Sequence, residues 1–197
     1  NLSLLASGII LTLLINSFQK LSISKLILEV FVLFVSQIII IEIALGIFGK
    51  ISYLNVSIIA YLIFATLAIK FGKRSIKALK KTEAPPLPPT KTTIFFFLPV
   101  ATLLFLRAFN ALLQIPLEHD SVAYHLPYIV EWLKSGSLMD LYYTAFASPI
   151  SYYPSNYELL GLFSVLPFNN DIFLNLINFL IYPIFAISIY KILTSLK

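Results

Sequence analysis

Cysteine is absent from the 197-residue chain, which excludes disulfides, thiolate zinc sites and cysteine nucleophiles. Charge is scarce too, at 12% of residues, and the six glycines form no phosphate-cradling loop for a nucleotide donor. A chain this poor in charge has too little polar surface to cover a water-exposed globule. What fills the gap is hydrophobic: 59% of residues, with a mean hydropathy of +0.91, far above soluble proteins. The composition is that of an all-α polytopic membrane protein. An opening at Asn1 without methionine, and an end just after a hydrophobic stretch, read as a fragment of a larger one.

About 20 apolar residues cross a bilayer core as a helix. Residues 26–48, 51–69, 93–113 and 172–193 meet that length, and 2–18 adds a marginal fifth. The last lacks the basic leader and small-residue cleavage site of a secretory signal, so it counts as a helix. Residues 156–168 are apolar but too short to span, and the sequence Pro-Phe-Asn-Asn-Asp that begins at Pro167 ends the run. They predict an interfacial helix, the second of two in a large loop.

Basic residues set the orientation. The connector 70–91 holds Lys70, Lys73, Arg74, Lys77, Lys80, Lys81 and Lys91, half of the fourteen, and is expected to be cytoplasmic. With five spans Lys20, Lys25, Lys191 and Lys197 join it, leaving only Lys50, Arg107 and Lys134 toward the outside. The loop 114–171 then faces outward with six of the nine acidic residues against one lysine. Such a loop suits a sugar, a metal or an amine. Acidic residues also translocate more freely than basic ones, which accounts for the same bias without any site. Residues 70–81 predict a basic juxtamembrane helix against anionic headgroups, and the proline-rich stretch 84–89 a stiff spacer. These breaks divide the chain into a three-helix unit (1–71), a linker (72–92) and a second module (93–197).

Within the spans, Glu29, Glu42 and Arg107 are charges that need partners. Glu29 is near enough to a helix end to reach the interface. Glu42 and Arg107 lie at similar depth, so a structural Glu42–Arg107 pair is expected, with a transporter relay as the alternative.

The ionisable and aromatic residues of the loop concentrate at 118–132. Treated as a helix, 120–133 sets Asp120, Ser121, Tyr124, His125, Tyr128, Glu131 and Trp132 on one arc, opposite Val122, Leu126, Ile129, Val130 and Leu133. Pro127 must kink that helix or begin its regular part, and Gly136 is a natural stop. Seven of eleven tyrosines fall in the loop, where a membrane interface or a sugar face would use them. Glu118 and Asp120 make a Glu-x-Asp arrangement that His125 and Glu158 can approach in the fold. Such a pair can divide a general-base role from a donor- or metal-positioning role, while His125 serves equally well as a cap.

The string Asp120-Ser-Val-Ala-Tyr124-His125-Leu126-Pro127, followed by Trp132, Gly136-Ser137, Tyr153-Pro154, Glu158 and Asn170-Asp171 before a new span, resembles the first outer loop of GT-C-type membrane glycosyltransferases. That superfamily includes the protein O-mannosyltransferases, the lipid A aminoarabinose transferase and many uncharacterised bacterial and archaeal relatives. The resemblance covers about 93–197, and the Asp-x-x-x-Tyr-His-Leu-Pro string points to an uncharacterised branch. It implies that Asp120 is the essential loop acid, a catalytic residue that orients or deprotonates the acceptor or helps hold a divalent metal where one is used. Glu118 would complete the pair. His125, Glu158, Tyr124 and Trp132 become candidate substrate-binding residues. The better-known members have a second proline beside Pro154 and basic residues in the second loop helix; here Tyr153 stands beside Pro154 and the basic residues are missing.

The resemblance implies a polyprenyl-phosphate-linked sugar as donor, an acceptor on the outer face, membrane lipids as surroundings and no nucleic acid. A prokaryotic plasma membrane is the expected location. Two further classes stand beside this one: a non-catalytic polytopic protein (transporter or assembly scaffold), and a lipid-acting enzyme with His125 as base.

Overall fold

The computed structural model describes residues 2–18, 21–82, 91–113, 125–139 and 155–195. They are helical throughout, with no strand among them. In chain order the helices are α1 (Leu2–Ile15), α2 (Ile23–Ile47), α3 (Tyr53–Leu79), α4 (Lys91–Leu113), α5 (Leu126–Ser135), α6 (Asn156–Val165) and α7 (Ile177–Ser195), the last preceded by a 3-10 turn at Leu174–Leu176.

Among the described residues three helical stretches are long and apolar enough to cross a membrane: α2, α3 and Leu174–Leu193. The protein is therefore built as a membrane protein, and among the described residues three of the five expected spans meet both length and apolarity. α1 stops after 14 residues, about 21 Å at 1.5 Å per residue, against a hydrocarbon core of ~30 Å. α4 is a continuous helix of 23 residues with Pro99 inside it, and Ala101–Leu113 is its apolar stretch. The expected span 51–69 and the basic helix 70–81 form one continuous α3 of 27 residues. The proline-rich spacer lies outside the described residues.

Local signals explain the helix starts. Ser22 begins α2 and accepts from the Lys25 amide, and Ser52 does the same for α3 through Asn55. Ile51, just before the second cap, is buried in the same cluster as Val56, the arrangement of a hydrophobic staple.

α1 runs parallel to α3 and antiparallel to α2. Its buried residues set the small Ser7, Gly8 and Thr12 beside Leu4 and Leu13, and α3 adds the small Ala60 and Ser75. Lipid tails are as apolar as leucine, so helices in a membrane associate through close packing and hydrogen bonds rather than hydrophobic exclusion. Ser7 hydrogen-bonds to Gln37, and the Ser75 hydroxyl donates to the Ile10 carbonyl.

The core continues from this bundle into the loop helices. Ile38, Ile41, Ile51, Tyr128, Ile129, Trp132, Leu159 and Leu162 belong to one buried cluster. The α5 helix ends at Gly136 in the left-handed conformation (φ 68°), as its glycine foretold. Two backbone bonds then tie this end to the α2–α3 turn: Ile51 N–H to Gly136 O (2.9 Å) and Leu138 N–H to Gly46 O (3.2 Å). Two aromatic rings, Phe34 and Phe163, meet edge-on where α6 packs on α2.

Candidate functional site

His125 and Glu158 are 33 residues apart in sequence and meet in the fold. His125 Nδ1 lies 2.6 Å from Glu158 Oε1. A carboxylate can only accept, so the imidazole donates through Nδ1, which leaves the neutral ring with its lone pair on Nε2. Pro127 occupies the first turn of α5 and starts the helix rather than kinking it, placing His125 at the N-cap. Glu158 is in the first turn of α6, where the unpaired amides of a helix N-terminus favour negative charge. Its side chain is only 8% exposed. The helix end and the histidine together offset the cost of burying a carboxylate.

Aromatic rings gather on the same helices as the pair. Tyr157 meets the His125 ring edge-on, with centroids 5.5 Å apart. Tyr128 and Trp132 are one turn apart on α5 and stack with centroids 5.9 Å apart. Here the expectation needs correcting. The spacing sets His125, Tyr128 and Trp132 on a polar and aromatic face, opposite an apolar stripe expected to face lipid or protein. Instead Tyr128 and Trp132 are buried and Val130 is exposed. Two large rings bury more apolar area than one valine, and α6 supplies the surface to cover them. Ile129, expected on the opposite side, is buried as well because α6 approaches closely at Gly161.

On α5 and α6 three buried polar atoms, Glu158 Oε2, Tyr128 Oη and Trp132 Nε1, have no hydrogen-bond partner among the described residues. Burial pushes the Tyr128 phenol above its ordinary titration range, and the Glu158 carboxylate adds to the shift. An acceptor, a hydroxyl and an N–H donor held around a carboxylate-oriented imidazole can bind a hydroxylated ligand and receive a proton from it.

Of the other expected site residues, Asp120, Glu118 and Tyr124 lie outside the described residues. Among the described ones no three histidine or acidic side chains gather as metal ligands. Tyr128 and Tyr157 were not singled out as binding residues. The first was legible from its three-residue offset from His125, whereas the second depends on how α6 is rotated against α5.

The expected Glu42–Arg107 pair does not form. Glu42 is completely buried with both carboxyl oxygens unpartnered among the described residues, while Arg107 is exposed on α4. Equal depth in the membrane is not adjacency, and α4 does not approach the face of α2 that carries Glu42. Further along α2, Phe31, Phe34 and Ile38 line a cavity of about 420 Å³ together with Phe163, Phe168 and Phe173. At 100° per residue, Glu158 is on the side of α6 opposite Leu160 and Phe163, so α6 separates the polar pair from this cavity. Comparison of the chain with protein-family models, curated proteins and solved structures returned no match.

Proposed function

We propose that the protein is a membrane glycosyltransferase that moves a sugar from a polyprenyl-phosphate donor to an acceptor at the outer face. The observation that carries this reading is the His125–Glu158 pair, bonded at 2.6 Å, with the Tyr157 ring against His125 and the stacked Tyr128 and Trp132 rings on the same helix. Aromatic faces stack on sugar rings, and hydroxyls need donors and acceptors held in place. In the reaction, the acceptor hydroxyl attacks the anomeric carbon, its proton passes to a base and the polyprenyl phosphate leaves. Asp120 is the proposed base, with Glu118 beside it. The His125–Glu158 pair holds the hydroxylated ligand. Membranes carrying the protein, incubated with radiolabelled polyprenyl-phosphate sugars, should form labelled product. Asp120→Asn should abolish it at unchanged expression. Product formation by this variant at the wild-type rate would sink the assignment.

One observation favours a second reading, a transporter. An unpartnered acid buried in a spanning helix is a common mark of a substrate or proton path, and Glu42 is one. That reading expects Glu42→Gln to abolish activity while Glu158→Gln and Asp120→Asn preserve it.

A further inference from the structure

At the end of the molecule away from the His125–Glu158 pair, three helices bring cations to the turn between α1 and α2. Arg74 of α3 donates to Ser17 Oγ (3.0 Å) and sits over the Phe18 ring, 5.3 Å from its centroid. Lys25 of α2 donates to Asn16 (2.9 Å), and Lys191 of α7 donates to the Ser22 hydroxyl (3.1 Å). The one described carboxylate at this end, Glu29, is held by Asn16 and Lys25. No ion pair to Lys70, Lys73, Arg74 or Lys77 forms among the described residues.

α3 adds a stripe. At 100° per residue Lys70, Lys73, Arg74 and Lys77 fall within an arc of roughly 100°. All four are exposed, and Lys80 and Lys81 follow at the helix end. The stripe points away from the bundle, because Ser75, on the other side of α3, is buried against the Ile10 carbonyl of α1.

The same bond sets the level. Since Ile10 is beside Ser75 and α1 runs parallel to α3, Ile15 and Phe18 lie level with the last turns of α3. These two are 67% and 89% exposed, and Ile69 and Ile76, which flank the stripe on α3, are exposed as well. In bulk water such an arrangement leaves large apolar side chains wet. In the headgroup layer they enter the acyl region while the lysines extend their ammonium groups outward.

We infer that this collar is an anionic-phospholipid site: Lys70, Lys73, Arg74 and Lys77, with Lys25 and Lys191 at the α1–α2 turn, bind the phosphates of the leaflet on that side. The occupant is lipid rather than a soluble polyanion, because the exposed apolar side chains beside the charges need acyl chains. The inference is independent of the proposed glycosyl transfer.

The test uses the full-length protein in vesicles of equal phosphatidylcholine and phosphatidylglycerol, extracted gently, with retained lipid counted by mass spectrometry. Phosphatidylglycerol should be enriched over the bulk mixture, and less so as salt rises. Lys70→Gln/Lys73→Gln/Lys77→Gln should lower the enrichment by up to about fivefold per charge, the equivalent of ~1 kcal/mol per basic side chain at a membrane surface. The arginine triple variant should retain it, and Lys134→Gln, at the other end of the molecule, should leave it unchanged. A matching melting temperature for the glutamine triple variant shows that folding is intact. The inference is overturned if wild type shows no enrichment, if the glutamine variant matches it, or if inorganic polyphosphate displaces the lipid.

Discussion

Tyr128 buries a hydroxyl with no partner among the described residues, which is unusual enough to be diagnostic. Removing a group that makes no hydrogen bond costs little, so Tyr128→Phe should alter stability by under about 1 kcal/mol in detergent melts. The same variant tests a pH effect. The folded phenol titrates above its unfolded value of about 10, so the native state keeps its proton where the unfolded chain loses it. Stability from this group is complete below that pH and falls as pH rises toward the folded value; Tyr128→Phe should flatten this part of the base-unfolding curve. Glu158→Gln breaks the charge-assisted bond to His125. Because the pair is proposed to hold the hydroxylated ligand, KM for that ligand should rise by about tenfold or more, the equivalent of a charge-assisted hydrogen bond of ~1.5–3 kcal/mol. Adding His125→Asn should then cost little more, because paired residues are strongly non-additive. Glu42 behaves differently. A buried polar group left unsatisfied costs roughly 1–3 kcal/mol, so Glu42→Leu should raise the midpoint of chemical unfolding. Both acids were visible in the sequence, and His125 and Glu158 were read as able to approach; that Glu42 lacks Arg107 was not, since pairing depends on helix rotation that hydropathy does not encode.

The helix ends were the most legible elements, because caps are local. Ser22, Ser52, Pro127 and Gly136 act through their own backbone or a few neighbours, so their effect does not wait for the fold. Gly136 also shows where local reading stops. Its φ of 68° was expected, but the crowding around it was not: a Cβ there would lie 3.2 Å from the Ile51 carbonyl. Gly136→Ala should therefore destabilise by about 1–3 kcal/mol from backbone strain, and protease should cut more readily beside α5. At Gly161 a Cβ would fall 2.5 Å from Ile129 Cδ1 and 2.9 Å from Leu174 Cδ1. Both are flexible side-chain ends, so Gly161→Ala should be tolerated better than Gly161→Val, which forces the two leucine-like tips and the α5–α6 spacing apart together. The expected polar face of α5 failed for a related reason. Amphipathic spacing shows that a helix has two sides, but neighbouring helices decide which side is covered.

At the scale of the whole molecule, the loop helices are fastened to the first hairpin. The Ile51–Gly136 and Gly46–Leu138 backbone bonds join segments about 90 residues apart. The proposed orientation is open to a direct test, helped by the absence of cysteine. Met139→Cys, at a position 75% exposed, should react with an impermeant thiol reagent from outside intact cells, and Lys80→Cys only after the membrane is opened. The opposite pattern would invert the orientation. Hydropathy and charge are properties of composition and order, so the sequence by itself determined a helical membrane protein with a basic end and an acidic loop. Burial, pairing and contact require two surfaces to meet. Only the tertiary structure decided that His125 belongs to Glu158, that Glu42 lacks Arg107, and that the aromatic side of α5 turns inward.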